Sequence, residues 1–219
     1  MKPPPYLGDD LMTNKTKQFY AHLNIRFFDN KDSYISEFLN GVNTSRQLTV
    51  LLYILSQCYY QYKNNETLIL CLDKKFNSKT SFLKNLKLSN GNVIKEIVRI
   101  RKTKYIDEVN VNDESIEIDF EPDLFVIDDK KKRFTICLND LLSFKYTEHS
   151  IVYLLTRYGK SQGYLYHNYL CKVLHLHHLP FSRQKQRLKR IFALLKKRGF
   201  IMSYRYENYT YFYEREVFF

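Results

Sequence analysis

The chain has 219 residues, 44% of them hydrophobic and 16% aromatic, which is enough apolar surface for real cores and excludes a disordered chain. Its longest apolar runs, residues 51–55 and 68–72, fall far short of the roughly 18–20 residues that a membrane-spanning helix needs. The net charge of +12 is sorted along the chain. Residues 1–130 hold 18 Lys and Arg against 18 Asp and Glu, whereas residues 131–219 hold 17 against 5.

Such sorting points to a polyanionic partner for the second part, since solubility alone would not require it. The length suits two modest domains. The opening Met1-Lys2-Pro3-Pro4-Pro5 has one basic side chain and no apolar run behind it, so no secretory signal is expected there. Four cysteines, Cys58, Cys71, Cys137 and Cys171, lie far apart without a C-x-x-C pair. They are expected to be buried free thiols, filling the core, in a reducing, cytoplasmic compartment.

In chain order, residues 1–12 read as a leader, and residues 14–41 as helix and short extended pieces without a clear period. Residues 1–40 together form an N-terminal extension. Asn43-Thr44-Ser45 is a helix-capping cluster, and Leu48, Leu51, Leu52, Leu55 and Tyr59 then mark one face of a helix running to about Tyr62. Residues 67–72 (TLILCL) predict a short buried strand. A helix is predicted over 78–88, ending before a turn at Asn90-Gly91. The next helix turns Ile94, Ile97 and Val98 inward and carries Lys95, Arg99 and Lys102 on the opposite stripe, with Lys104 just beyond. These cations mark either a weak phosphate contact or a solvated face. Residues 105–109 and 115–120 alternate about a polar loop and predict a β-hairpin.

The same order of elements then returns after a charged link at residues 128–133. A strand is expected over 134–138, and a helix from Thr147 carries Ile151, Leu154, Leu155 and Tyr158. A second helix spans 164–176, and residues 177–181 form a turn. Ser182 caps a third helix ending at Arg198, with Gly199 just past it. A last hairpin follows over 200–206 and 208–215. The predicted fold is α+β, two winged helices in tandem over 41–130 and 131–219.

The third helix of the second module, SRQKQRLKRIFALLKKR, is the most specific feature. Leu188, Ile191, Phe192 and Leu195 share one face. Arg183, Gln186, Arg190 and Lys197 share the opposite one, flanked by Arg187, Lys189 and Lys196. From Arg183 to Arg198 there are eight basic residues and no acid. An ordinary solvated helix mixes signs, because opposite charges one turn apart stabilise it and like charges do the reverse. Arginine and glutamine are also the side chains that pair bidentately with guanine and adenine in the major groove. Base readout is therefore expected from Arg183, Gln186, Arg187 and Arg190, and phosphate contact from Ser182, Lys189, Lys197 and, in the hairpin, Arg205. The hairpin tyrosines (204, 206, 209, 211 and 213) either reach the DNA backbone or cover the core.

Catalytic signatures are sparse. His175-Leu176-His177 has the spacing of a metal-binding pair in rolling-circle nickases, whose nucleophile is a tyrosine. That chemistry needs both rings on one face of a strand. Here the triplet ends a helical pattern and precedes Pro180, with no acid nearby, and reads instead as the corner of a helix-turn-helix. There is no Gly-rich phosphate loop and no G-x-S-x-G elbow. No catalytic residue, cofactor or metal is expected.

Several segments resemble the plasmid replication initiators of the two-winged-helix type. These are SIEIDFEPDL, then RFTICLNDLLSFKYTEHSIVYLLTRYGKSQG, then SRQKQRLKRIFALLKKRGFI. Phe134-Thr135, Leu141-Leu142, Lys145, Ser150 and Tyr153-Leu154-Leu155 stand at positions of that family's pattern, while Ile151 replaces its usual arginine. The resemblance covers 43–219. It implies an initiator that binds repeated double-stranded origin sites, opens adjacent DNA and recruits a helicase or host initiator. It also implies homodimers formed through the N-terminal module. A transcriptional regulator, a nicking enzyme and a primosomal loader are the other readings.

Overall fold

The computed structural model describes residues 20–24, 38–61, 67–71, 89–102, 106–111, 115–120, 133–158 and 161–216. The expected leader at 1–12 and the expected helix at 78–88 lie outside these residues, as does Lys104. The fold is α+β: helices interleaved with three small antiparallel sheets. Among the described residues no helix is long and apolar enough to cross a membrane.

Strand β1 (Tyr20–Asn24) pairs antiparallel with β5 (Arg133–Cys137), which brings the early chain to the start of the second half. Ala21 and Leu23 point into the core. Helix α1 (Ser45–Gln61) opens with a capping box: the Gln47 amide donates to Thr44 Oγ1 (3.1 Å) and Gln47 Oε1 accepts from the Thr44 amide (3.1 Å). Its Leu48, Leu51, Leu52 and Leu55 are buried, as their spacing requires. Strand β2 (Thr67–Cys71), helix α2 (Asn90–Ile100) and the hairpin β3 (Ile106–Val111) and β4 (Ser115–Phe120) complete the first half. The sheet order is β2-β4-β3.

Three expectations for this half are corrected. Asn90-Gly91 opens α2 instead of forming a turn, with Ser89 in extended conformation as its N-cap. Val98 is 54% exposed, because the inward face is centred on Val93, Glu96 and Ile97. Arg99 belongs to neither a phosphate stripe nor a solvated face. Its guanidinium donates to Glu96 Oε1 (2.7 Å), to the Phe38 carbonyl (2.7 Å) and to the Asn40 carbonyl, tying α2 to the segment before α1.

Glu96 is 2% exposed, and burial pushes its carboxyl above the ordinary 4.5, more than the Arg99 hydrogen bond and charge lower it. An acid whose pKa is raised on folding holds its proton more tightly when folded. Its favourable contribution is complete below 4.5 and is lost as pH rises through the folded value. Urea denaturation of the protein and of Glu96→Gln should therefore show a stability difference that moves against the unsubstituted protein as pH rises from about 4.5. A pH-independent difference would refute this.

In the second half, β5 leads into α3 (Leu138–Leu142) and α4 (Thr147–Arg157), which buries Ile151, Leu154 and Leu155. The two halves are fastened where α1 and α4 begin. Ser150 Oγ lies 2.7 Å from Ser45 Oγ, and Ser45 donates to the buried Phe144 carbonyl (3.0 Å). Thr147 Oγ1 donates to the Asn43 carbonyl (2.7 Å).

The helix expected over 164–176 is instead a strand, β6 (Gln162–Tyr166), followed by the short helix α5 (His167–Val173). The strand wins because Gly163 and Leu165 face inward while Gln162, Tyr164 and Tyr166 face out. That alternation lets β6 pair with β8 (Thr210–Glu214), which also pairs with β7 (Ser203–Glu207), giving the order β6-β8-β7. Both three-stranded sheets thus add a lone strand to the second strand of a hairpin.

Gly163 leaves room for Tyr213: a Cβ there would come within 2.5 Å of the Tyr213 hydroxyl oxygen, and that ring is buried. Gly163→Ala is expected to destabilise by about 1–3 kcal/mol, the usual cost of overpacking, read as a lower urea midpoint. An unchanged midpoint would mean that Tyr213 shifts without cost.

Candidate nucleic-acid interface

Helix α6 (Phe181–Lys197) follows α5 after a turn at residues 174–180. The His175-Leu176-His177 triplet lies in that turn. His175 has a left-handed φ of 53°, Leu176 is buried and the two histidines are exposed. Among the described residues no three His, Cys, Asp or Glu side chains gather as a metal site would need. The N-cap of α6 is Pro180, not Ser182: the amides of Arg183 and Gln184 donate to the Pro180 carbonyl (2.9 and 3.0 Å). Proline suits this place because its own missing N–H costs nothing there. Ser182 stands in the first turn, exposed.

Gln184, which sequence reasoning passed over, anchors the turn between α5 and α6. Its Nε2 donates to the Leu179 (2.8 Å) and Leu176 (3.2 Å) carbonyls, and its Oε1 lies 3.0 Å from Nε2 of the buried His167. The corner is therefore fixed by one side chain that satisfies backbone groups the turn would otherwise strand.

Leu188, Ile191, Phe192 and Leu195 are all 1% exposed or less, so the expected inward face is the observed one. Phe192 stacks flat on Tyr211 of β8, centroids 4.6 Å apart, and the Tyr211 hydroxyl donates to the Lys185 carbonyl (3.3 Å). These contacts orient the rest of α6. Arg183, Gln186, Arg190 and Lys197 line the opposite side, all exposed, with exposed Ala193 between them. At 1.5 Å per residue the row is about 21 Å long.

The eight basic residues divide by position. On the flanks, Lys185 lies over the Tyr206 ring at 4.6 Å, and Arg198 donates to Ser143 Oγ (3.0 Å) over the Phe144 ring. Arg187 is held by Glu148 of α4. Arg183, Lys189, Arg190, Lys196 and Lys197 project into solvent. The candidate base-reading residues Arg183, Gln186 and Arg190 therefore share one open row, while Arg187 borders it with a carboxylate attached.

The hairpin beside α6 turns through Asn208 and Tyr209, both with positive φ (47° and 57°), the mark of a tight two-residue turn. Of its tyrosines, Tyr211 and Tyr213 are buried and Tyr204 and Tyr206 half-buried. Burial pushes the Tyr211 phenol far above its ordinary range. Covering the core is therefore what these four do. Tyr209 at the tip is 65% exposed and packs against Phe181 at the start of α6 (5.6 Å between centroids). Arg205 lies on the outer face of the sheet, over Phe212 (4.8 Å) and 3.2 Å from Glu207. Its charge is thus partly answered within the sheet. Cys137 and Cys171 are free thiols; Cys171 is buried as expected, whereas Cys137, at the end of β5, is only half-buried.

No family model matches the chain, and no curated protein matches it. Among solved structures, a crystal structure of the Pi initiator protein in complex with iteron DNA is similar. It aligns with 93% of this chain and 99% of its own at 13% identity, with a TM-score of 0.48. A likeness this loose assigns neither a fold nor an activity.

Proposed function

We propose that the chain is a sequence-reading, double-stranded DNA-binding protein of two winged-helix modules in tandem, and that it acts as a replication initiator on repeated origin sites. The observation that carries the reading is the exposed row Arg183, Gln186, Arg190 and Lys197, directly opposite four buried apolar side chains of the same helix. A helix fits the major groove, and arginine and glutamine have the donor and acceptor geometry to read base edges there. Ala193 in mid-row lets the backbone approach the groove floor. The hairpin serves as the wing, with Ser182, Lys189, Lys197 and Arg205 on phosphate.

Binding requires no cofactor or metal in this reading, and the protein performs no catalysis of its own. The initiator role rests on the sequence resemblance over 43–219, which also suggests a homodimer through the N-terminal module and a helicase or host-initiator partner. A transcriptional regulator would use the same row without opening DNA.

The test is selection of bound fragments from random and genomic duplex pools at about 150 mM salt, followed by a salt titration of the recovered site. One recovered motif, repeated beside an AT-rich tract that the protein opens, supports the initiator. A motif without opening favours the regulator, and binding that follows charge alone overturns sequence reading. Within the same titration, Lys197→Ala should weaken all sequences alike and reduce the salt slope by about one unit. Arg205→Ala should change the slope less, because Glu207 already offsets that charge. A change in base preference with Lys197→Ala would remove it from the phosphate group.

A further inference from the structure

Arg187 differs from the other α6 cations. Among the described residues it is the one in that helix held by an acid. Its Nε donates to Glu148 Oε2 (2.7 Å) and its Nη2 donates to Glu148 Oε1, a two-pronged contact between two helices made by residues 39 apart in sequence. Glu148 lies in the first turn of α4, where the exposed amide ends of the helix favour an anion. It is 23% exposed, whereas Arg187 is 48% exposed. The carboxylate is therefore seated against the protein while the guanidinium still reaches solvent. Arg187 stands one turn after Arg183 and three residues before Arg190, on the border of the open row.

The geometry decides which edge of the guanidinium is left. The side edge, formed by Nε and Nη2, is occupied by Glu148. The end edge keeps one N–H on each terminal nitrogen, side by side and in plane. That pair matches the N7 and O6 acceptors of guanine in the major groove. Glu148 also removes two costs of base reading. It restricts the rotamers of a long side chain, and it lowers the attraction of Arg187 for phosphate, which would otherwise compete with a base.

We infer that Glu148 is a positioning residue that makes Arg187 a guanine-reading side chain. The inference rests on the proposed DNA-reading role of α6 and adds to it a base identity and a second helix. Two substitutions then separate selectivity from charge-driven affinity. Glu148→Gln removes an acid from the border of the row, so binding to arbitrary duplex DNA is unchanged or tighter. The preference for guanine at one position of the site nevertheless falls, from about 5- to 150-fold toward none. Arg187→Lys keeps the charge and loses the planar fork, so the same position loses its guanine with little change in salt slope. In an Arg187→Ala background, Glu148→Gln has no further effect on that position.

The experiment is duplex selection with the full chain and these variants, each base position being scored separately. Arg187 is exposed, so Arg187→Lys keeps the test available if Glu148→Gln lowers stability. Loss of one guanine in both variants, with the remaining motif intact, is the expected result. A motif whose guanines all survive both substitutions overturns this inference and leaves the DNA-reading role standing. Uniform loss across every position shows a merely structural ion pair and overturns it as well. Recovery of no motif from the unsubstituted protein overturns the DNA-reading role and this inference together.

Discussion

Replacing Arg183 and Arg190 together by alanine should weaken binding to the recovered duplex site by about 2–6 kcal/mol, with about 1–3 kcal/mol from each lost bidentate contact. The two lie seven residues apart on one face, about 10 Å along the axis, so their effects should be close to additive. Both side chains are exposed, and removing either relieves crowding among like charges. Folding stability should therefore change by no more than about 0.5 kcal/mol. Lysine at both positions separates the two roles of the charge. It preserves long-range attraction and loses the fork, so selectivity should fall while the salt slope holds. Fluorescence anisotropy against cognate and scrambled duplexes at several salt concentrations measures both. Unchanged affinity for the cognate site in the double alanine variant would show that this row does not read DNA.

The largest expected loss of stability is at Phe192. The ring is fully buried, stacked on Tyr211 with planes 2° apart and tilted against Tyr204 at 5.6 Å. Phe192→Ala should cost about 3–5 kcal/mol, from lost transfer energy and the cavity left behind, and the stacked pair adds about 0.5–1.5 kcal/mol beyond area. That is a large share of the 5–15 kcal/mol typical of a domain. A urea midpoint that falls at unchanged slope would register it, while Phe192→Leu should cost much less. DNA binding should weaken in step, because this ring sets the rotation of α6. A cost under about 1 kcal/mol would mean that the sheet does not orient α6.

Much of α6 was legible because one short window carried both signals, an apolar stripe at helical spacing and a face without acids. The capping cluster before α1 was legible for a similar reason, since Thr44 and Gln47 are only three residues apart. What lay hidden depended on distant partners. Nothing within a single segment shows that Arg99 is spoken for by the carbonyls of Phe38 and Asn40, or Arg187 by Glu148. Val98 was misplaced for a related reason: a charged residue, Glu96, takes an inward position that pattern reading reserves for apolar side chains. Strand β6 departs from the helix predicted over 164–176 because its pairing with the distant β8, invisible in the local segment, decides its conformation. The discriminating clue was Gly163, whose lack of a side chain makes sense only beneath Tyr213. In the hairpin the alternation of tyrosines was plain, but only the position of α6 decides which side is inward.

The pairing of β1 with β5 bears on how the chain is made. His22 Nδ1 meets Thr135 Oγ1 at 2.8 Å across a sequence separation of 113 residues. At a synthesis rate of roughly 5–20 residues per second, Tyr20–Asn24 leaves the ribosome about 6–23 s before its strand partner does. Helix α1 can shelter it in that interval, since the His22 amide donates to Ser56 Oγ (3.0 Å), but the edge later covered by β5 stays open. The nascent first half thus carries an unsatisfied strand edge until translation has passed Cys137, so ribosome pausing within residues 25–132 prolongs its exposure to other chains.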